Sequence, residues 1–490
     1  MKAKLIYCIV LAAMLLCACQ AGKESQNVIE DPPALEQSEQ EPPPSDDRAK
    51  AEEKEEISPY PPAPPVCERA FTETESFPFP FEDELLTDPV MRLLLSTEQA
   101  LYDYDTMWQL LEENYPYFEA IKRDLEIDWE EVKTEYRQVL ESHASYGYIS
   151  QGDFVQTIDD CLREFQSVGH LFLVSAQYRL QLLDFVKNSE NTPYKNIFEI
   201  VNNPQSKLFY KYAQHLQRFL PPNSGGSNSY SEEGEPVSID GLTAISECLS
   251  VGYVEGEVPY LKIESFTQWD DAAQAELEDF FSSISQEEHL IIDVRGNTGG
   301  NDNAWRRGIV PFLAQQEYEF TRFWGAKSGS LNLMLEPEFD KSRGSITRYT
   351  DDSWQKEFPY ISPDMLTGID TLLKATSTLR CADMPDKFHG KIWVLVDKYC
   401  YSATEALVCF CKETGFATLI GTKTGGSGKG TQPYFMALPY SGLIVEYETY
   451  LTFNTDGTCN GISGTVPDIV TEEGSDALET CLMAINGELN

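Results

Sequence analysis

The 490-residue sequence is poor in positive charge and in histidine. It has 37 lysine and arginine residues against 80 acidic ones, a formal net charge of −43, and only five histidines. Such a charge repels nucleic acid and anionic lipid surfaces, so neither is an expected partner. The sequence also lacks a CxxC pair and any Cys/His group with zinc spacing. No metal and no cofactor is therefore expected.

Long apolar runs are absent, apart from a short one at the N-terminus. Lys2 and Lys4 precede LIYCIVLAAMLL, which is too short to span a bilayer and has the length of a signal-peptide core. The end of this run and the residues after it, LCAC, resemble a bacterial lipobox that ends at Cys19. We therefore expect residues 1–18 to be a lipoprotein signal peptide. Lipid on Cys19 would anchor the chain to the extracytoplasmic face of a bacterial cell membrane; an ordinary cleaved signal peptide is the alternative.

Large apolar residues are also scarce between residues 19 and 66. Residues 20–66 contain ten prolines, twelve acidic and four basic residues. Such a segment cannot bury enough surface to offset the entropy of ordering it. We predict a disordered, acidic, proline-rich tether.

Apolar residues with helical spacing follow. Residues 67–175 are predicted to form a helical domain in which Tyr104, Trp108 and Leu111 share a buried face. Asp128 and Ser150 are the predicted N-caps of two further helices. Residues 176–250 are predicted to be a helical and loop insertion, because helical spacing returns only around LFYKYAQHLQRFL.

From residue 251 to 490, short apolar runs alternate with helical patterns. HLIIDV, KIWVLVD and ATLIG have the composition of buried parallel strands. SATEALVCFCKETG is a predicted helix that ends at Gly415, and LIVEYETYLTF is predicted to be one longer, half-exposed strand. This alternation indicates a layered α/β domain.

Several segments of this half carry a family resemblance. They are GYVEGEVPYLKIESF, LIIDVRGNTGGND, KIWVLVDKYCYSATEALVCFCKETGFATLIGTKTGGSGKG, LPYSGLIVEYE and SGTVPDIV, in that order. Residues 251–490 resemble the catalytic domain of the C-terminal processing (tail-specific) and tricorn-core serine peptidases. The helical segment YDYDTMWQLLEENYPYFE resembles the N-terminal region of the tricorn-core branch. The resemblance implies a crotonase-like (ClpP/crotonase) α/β catalytic domain behind a helical domain, acting on peptides or proteins.

Ser402 is the predicted nucleophile. It follows a buried strand and opens a helix, where free N–H groups and the helix dipole favour the oxyanion of acyl transfer. The N–H of Ala403 is one candidate donor to that oxyanion, and the resemblance implies a second from Gly299 or Gly300. The structural alternatives are a serine that only caps the helix and a plain glycine turn.

The general base has two candidates. Processing peptidases carry a lysine 25 residues after the serine, where this chain has Ser427, and Lys429 lies two residues further. In the tricorn-core branch a histidine at the end of the helical region is the base, and His170 in SVGHL lies at the matching place. We favour His170 over Lys429. Asn460 occupies the position where the tricorn-core branch has a glutamate, and it could orient the histidine.

The missing lysine and glutamate leave a second function open. A peptidase-like module with impaired turnover would bind peptides or protein tails at the cell surface. A crotonase-type acyl-thioester enzyme would share the core, but export argues against it because acyl-CoA is cytosolic. Intact Ser402, His170 and the glycine turn favour the enzyme.

Overall fold

The computed structural model describes residues 94–489, except 144–146, 187–191, 217–238, 268, 336–343 and 473. The predicted signal peptide, Cys19 and the tether therefore lie outside the described residues, as does the start of the predicted helical domain. None of the helices in the described ranges has both the length and the apolar character needed to cross a bilayer.

The first part of the described chain is mostly helical. Its elements are β1 (Leu94–Ser96), α1 (Thr97–Asn114), α2 (Phe118–Asp124), α3 (Trp129–Ser142), β2 (Tyr148–Ser150), α4 (Gln151–Arg163), a 3-10 turn (Val168–His170), β3 (Phe172–Leu173), α5 (Ala176–Val186), α6 (Thr192–Val201) and α7 (Pro204–Leu216).

The helix starts follow the predicted capping chemistry. The Asp128 side chain accepts a hydrogen bond from the Glu130 N–H at the start of α3, and the Ser150 hydroxyl accepts one from the Asp153 N–H at the start of α4. Both predicted N-caps are confirmed, because each satisfies one N–H that the first helical turn leaves unpaired.

The face of α1 that carries Tyr104, Trp108 and Leu111 is fully buried, as predicted. The Trp108 ring stacks on Phe118 and Trp129 with centroid separations of 5.6 and 6.3 Å. These aromatic contacts hold α1, α2 and the start of α3 together and fix the course of the chain between α1 and α2.

The second part of the described chain alternates strands and helices. Its elements are β4 (Ile239–Ala244), β5 (Leu249–Val254), β6 (Val258–Ile263), α8 (Asp271–Ser283), β7 (His289–Asp293), α9 (Asn303–Gly308), α10 (Val310–Leu313), β8 (Tyr318–Ala326), α11 (Ser330–Leu335), β9 (Gly344–Tyr349), α12 (Trp354–Glu357), a 3-10 turn (Pro363–Leu366), β10 (Thr371–Leu379), β11 (Lys391–Val396), α13 (Ala403–Thr414), β12 (Thr418–Gly421), β13 (Tyr434–Ala437), β14 (Ile444–Tyr447), β15 (Tyr450–Thr452), α14 (Asn460–Ser463), β16 (Ile469–Val470) and α15 (Ala477–Ile485).

A seven-stranded sheet has the order β16-β12-β11-β7-β6-β5-β4. The strands predicted from HLIIDV, KIWVLVD and ATLIG are its parallel members β7, β11 and β12. Leu395 pairs with Asp293, so the carboxyl ends of β7 and β11 lie side by side. The turns that follow them, which contain Gly299 and Ser402, therefore meet at one edge of the sheet.

The segment LIVEYETYLTF is not one half-exposed strand, and that prediction is wrong. It forms β14, in the three-stranded sheet β13-β14-β3, and β15, in the four-stranded sheet β15-β8-β10-β9. All residues of both strands are buried. The chain changes sheet at Glu448 and Thr449, which places these two residues between the sheets.

The helical region and part of the α/β region share one hydrophobic core. The same cluster of buried side chains contains Tyr104 and Trp108 of α1 together with Phe435 of β13 and Val445 of β14. A second cluster lies around α13 and one face of the large sheet. The predicted mixed α/β class is confirmed. The domain boundaries stay predictions. Because the core is shared, the helices pack directly against the strands near Ser402.

Candidate active site

Ser402 lies between β11 and α13, where the chain turns sharply. Its backbone has φ 56° and ψ −121°, a conformation that is rare for non-glycine residues and is typical of functional positions. The Ser402 side chain makes no capping hydrogen bond to α13. The alternative in which this serine only caps the helix is therefore wrong.

The start of α13 presents unpaired N–H groups beside the serine. The Ser402 N–H donates to the Gly426 carbonyl at 3.1 Å, which pins the turn to the segment after β12. In the described part of the chain, the N–H of Ala403 has no acceptor. Because the helix dipole also favours negative charge here, the predicted place of Ala403 as an oxyanion donor is compatible with the structure.

His170 ends the 3-10 turn that follows α4. Both Gly169 and His170 have φ 55°, so this turn is left-handed. The phenol of Tyr115 donates to the Val168 carbonyl at 2.6 Å, and the carbonyl of Gly169 accepts from the Glu448 N–H at 2.7 Å. The turn is thus held from the helical side and from the strand side.

The structure brings His170 and Ser402 together. The distance from His170 Nε2 to Ser402 Oγ is 2.9 Å, within the reach that a general base needs. Tyr401 supports this contact, because its hydroxyl accepts from the His170 N–H at 3.1 Å and donates to the Ser167 carbonyl at 2.9 Å. The rings of Tyr401 and His170 are 4.8 Å apart.

The glycine turn after β7 lies against the serine. A Cβ on Gly299 would be 2.9 Å from Ser402 Cβ, so only glycine leaves room there. The Gly299 N–H already donates to Asn297 Oδ1 at 2.9 Å. Among the described residues nothing accepts from the Gly300 N–H. Of the two predicted glycines, Gly300 is thus the one with a free donor, and Gly299 provides space.

The far side of the His170 ring faces a carboxylate. His170 Nδ1 is buried and has no hydrogen-bond partner among the described residues. Glu448 Oε2 lies 3.8 Å from it, and both side chains are almost fully buried. Glu448 Oε2 also accepts from the phenol of Tyr117 at 2.9 Å. Ser402, His170 and Glu448 thus follow one another as hydroxyl, imidazole and carboxylate.

Asn460 does not orient His170, which corrects the prediction. Its amide donates to Glu405 Oε1 at 2.8 Å and to Asn454 Oδ1 at 3.0 Å, and its carbonyl accepts from the Gly428 N–H at 3.1 Å. Burial raises the pKa of Glu405, so this fully buried carboxyl depends on such donors. Asn460 belongs to a buried network behind α13.

Lys429 is not placed as a base. Its ammonium group forms an ion pair with Glu413 and donates to the Phe453 carbonyl at 2.6 Å. These contacts hold it in the core with a side chain that is 4% exposed, and no hydrogen bond joins it to Ser402. Ser427, at the ungapped lysine position, is buried.

No metal centre is found in the part of the chain that the structure describes: it contains no group of three or more His, Cys, Asp and Glu side chains placed to hold an ion.

Cys400, close to Ser402 in the chain, is fully buried, and burial raises the pKa of its thiol well above the ordinary value. Its Sγ donates to the Val294 carbonyl at 3.3 Å, so this cysteine is an inert core residue. The eight cysteines in these ranges are all free thiols.

Three residues near the site were not predicted from the sequence: Tyr117, Tyr401 and Glu448. Tyr401 is the residue before the predicted serine, and its position in the chain indicates that its phenol lies near the site. Glu448 is a charged residue inside a strongly apolar segment, which also indicates a special position. Its contact with Tyr117 joins residues 331 positions apart, and a sequence pattern does not reveal such pairs.

Comparison with known families gives two matches. Residues 257–471 match the model of peptidase family S41, and residues 96–147 match the model of the tricorn protease C1 domain. The second match covers α1 to α3 and ends before His170. No match was found among curated proteins.

Three of the solved structures to which the chain is similar are as follows. A Parabacteroides merdae protein named as a peptidase is 17% identical, with 80% of this chain and 96% of that chain covered and a TM-score of 0.47. Mature CPAF in complex with lactacystin is 14% identical, with 76% and 94% covered and a TM-score of 0.47. A lipoprotein from Streptococcus agalactiae is 12% identical, with 80% and 97% covered and a TM-score of 0.39.

Proposed function

We propose that this chain, whose residues 257–471 match the model of peptidase family S41, is an active serine peptidase with Ser402 as nucleophile and His170 as base. The observation that carries the proposal is the 2.9 Å contact between Ser402 Oγ and His170 Nε2 beside the start of α13. It is supported by the strained serine backbone and by the lack of a capping bond.

In the proposed acylation step, Ser402 Oγ attacks the carbonyl carbon of a peptide bond while its proton passes to His170 Nε2. The carbonyl oxygen becomes an oxyanion, which accepts hydrogen bonds from the N–H groups of Ala403 and Gly300. When the tetrahedral intermediate collapses, the C–N bond breaks and His170 gives its proton to the leaving amine. An acyl ester on Ser402 remains.

Deacylation uses the same groups in the same order. A water molecule replaces the amine, His170 Nε2 takes one of its protons, and the water oxygen attacks the ester carbonyl. Collapse of the second tetrahedral intermediate breaks the bond to Ser402 Oγ, which regains its proton from His170. Every proton in this cycle passes through one imidazole, so no metal is needed.

The test uses the detergent-solubilised full chain and an unstructured protein substrate. Ser402→Ala and His170→Ala should each lower the rate by on the order of 10²-fold or more, because each removes a partner of the proton transfer. Thermal unfolding should show that both variants stay folded, and a chelator should leave the wild-type rate unchanged. Near wild-type hydrolysis by Ser402→Ala would contradict the proposal.

A second candidate function is a peptidase-like module that binds peptides with little turnover. The observation that favours it is the unpartnered Nδ1 of His170, together with Asn460 where the tricorn-core branch has a glutamate. Under this alternative the wild-type chain would bind peptides but hydrolyse them no faster than Ser402→Ala.

We also propose that the peptidase acts outside the cytoplasm, anchored to a bacterial cell membrane by lipid on Cys19. The support is the LCAC segment after an apolar signal-peptide core and the acidic, proline-rich residues 20–66 that follow it. A spacer of this composition would hold the folded region away from the membrane surface. Its expected substrates are peptides or proteins in the same compartment.

A further inference from the structure

Two buried polar groups next to Ser402 lack the partners that burial demands. His170 Nδ1 and Glu448 Oε1 each have no hydrogen-bond partner among the described residues. Leaving such groups unpaired is costly, most of all for a carboxylate. Their side chains are 7% and 2% exposed and lie 3.8 Å apart at the closest atoms. The closest approach joins His170 Nδ1 to Glu448 Oε2, the oxygen that also accepts from the phenol of Tyr117.

We propose that Glu448 is the positioning carboxylate of this site, in the place that the family resemblance gives to residue 460. The proposal rests on the proposed peptidase function. When Ser402 gives its proton to His170 Nε2, the imidazole becomes positively charged and its Nδ1–H donates to Glu448 Oε2. The proton stays on the imidazole, and the carboxylate stabilises the charge and holds the ring orientation.

The 3.8 Å separation of His170 Nδ1 and Glu448 Oε2 is longer than a hydrogen bond. Catalytic hydrogen bonds are often long before substrate binds and shorten in the reacting complex. A shift of about 1 Å brings the pair to a charge-assisted hydrogen bond. Asn460 cannot take this role, because its amide already serves Glu405 and Asn454.

The backbone keeps Glu448 in register with the histidine. Its N–H donates to the Gly169 carbonyl at 2.7 Å, so the residue that faces the imidazole also holds the turn that carries it. β14 ends one residue earlier and pairs with β3, which begins shortly after His170. The phenol of Tyr117 donates to Glu448 Oε2 at 2.9 Å and fixes its direction.

A close glycine shapes the space around the carboxylate. A Cβ on Gly430 would lie 1.9 Å from Glu448 Oε1, so only glycine accommodates the observed side-chain position. The polar side chains recorded against the imidazole are the Ser402 hydroxyl at Nε2, the ring of Tyr401, and Glu448 at Nδ1, with the phenol of Tyr117 on Glu448. Of these groups, Glu448 is the one that brings a carboxyl group to the Nδ1 side of the ring.

The chain offers a matched control in Glu446, two residues earlier in β14. It is also a fully buried glutamate, but its hydrogen bond comes from the phenol of Tyr178. Burial raises the pKa of Glu446 well above its ordinary value, and glutamine keeps the size and shape of this side chain. Glu446→Gln should leave the peptidase rate unchanged.

The experiment compares Glu448→Gln with Glu446→Gln on one peptide substrate. Glu448→Gln should lower kcat by about 10²- to 10⁴-fold with little change in KM, the scale seen when an orienting carboxylate becomes an amide. In this variant the acid limb of the pH–rate profile should also move to lower pH, because the imidazolium loses a stabilising charge. A purely structural role would not move that limb. Glu448→Asp should restore part of the rate and the wild-type limb.

A wild-type rate and profile for folded Glu448→Gln would overturn the proposal. If that variant does not fold, proton NMR of the wild-type chain decides. A low-field imidazole N–H signal at acidic pH, absent in His170→Ala, supports the pair, and its absence in the wild type overturns it. Failure of this inference is distinct from failure of the proposed function. If only the role of Glu448 is wrong, Ser402→Ala and His170→Ala still abolish hydrolysis. If the proposed peptidase function is wrong, they do not.

Discussion

Replacing Gly169 by alanine tests whether the helical region positions the base. Gly169 has φ 55°, and a Cβ there would lie 2.7 Å from two carbons of the Tyr117 ring and 3.1 Å from the Tyr115 ring. Neither ring is free to retreat, because the phenol of Tyr115 is bonded to the Val168 carbonyl and that of Tyr117 to the Tyr450 carbonyl. The extra methyl group must therefore move the turn that carries His170.

The cost has two parts. An alanine with positive φ costs roughly 1–2 kcal/mol, and overpacking of a tight core costs about 1–3 kcal/mol, so Gly169→Ala should lose about 2–5 kcal/mol of unfolding free energy. A displacement of His170 by about 1 Å should also lower kcat/KM by on the order of 10²-fold. The assays are peptide hydrolysis and thermal unfolding of the same preparation.

Gly147→Ala is the matched control. Gly147 has φ 75° but no atom within 4 Å of the added Cβ, so this variant carries the backbone strain without the ring contact. It should lose stability by about 1–2 kcal/mol and keep its activity. If Gly169→Ala matches Gly147→Ala in both measurements, the reasoning about Tyr117 and the His170 turn is refuted.

Three further changes give distinct results. Lys429→Met leaves Glu413 buried without its cation and should lower the free energy of unfolding by about 3–5 kcal/mol, measured by chemical denaturation. The kcat of the folded variant should be unchanged, and a large loss of kcat would make the lysine the base again. Burial raises the pKa of Asp103 to about 6, so the folded state holds this proton more tightly than the unfolded chain. The unfolding free energy should therefore fall by about 2 kcal/mol as the pH rises from about 4 to 6, and Asp103→Asn should flatten that slope. Cys19→Ser should move the protein from the membrane to the soluble fraction or leave an unlipidated precursor, and unchanged detergent partitioning would contradict the anchor.

The part of the site that follows local rules could be predicted from the sequence. Ser402 opens a helix after a buried strand, and glycines end the neighbouring strand, so parallel pairing alone places both at one edge of the sheet. The position of His170 came from resemblance to the tricorn-core branch, since a lone histidine carries no local pattern. Its contact with Ser402 depends on a left-handed turn that only the three-dimensional packing shows.

The rest depends on contacts between distant segments. LIVEYETYLTF has the alternation of one strand, yet it serves two sheets, and the break falls at Glu448. No periodic pattern predicts where a strand leaves its sheet. The sequence comparison directed attention to Asn460 as the orienting group, whereas the structure places Asn460 in the Glu405 network. Residues that support a site through tertiary contacts, such as Tyr117, are found only when the fold is known.

The central claim is that Ser402 is a nucleophile activated by His170. The most direct measurement is the rate at which a fluorophosphonate probe labels the full chain, with the modified residue located by mass spectrometry. We expect one label per chain, on Ser402, with none in Ser402→Ala and a rate reduced by on the order of 10²-fold or more in His170→Ala. Labelling elsewhere, or an unchanged rate in His170→Ala, would contradict the account.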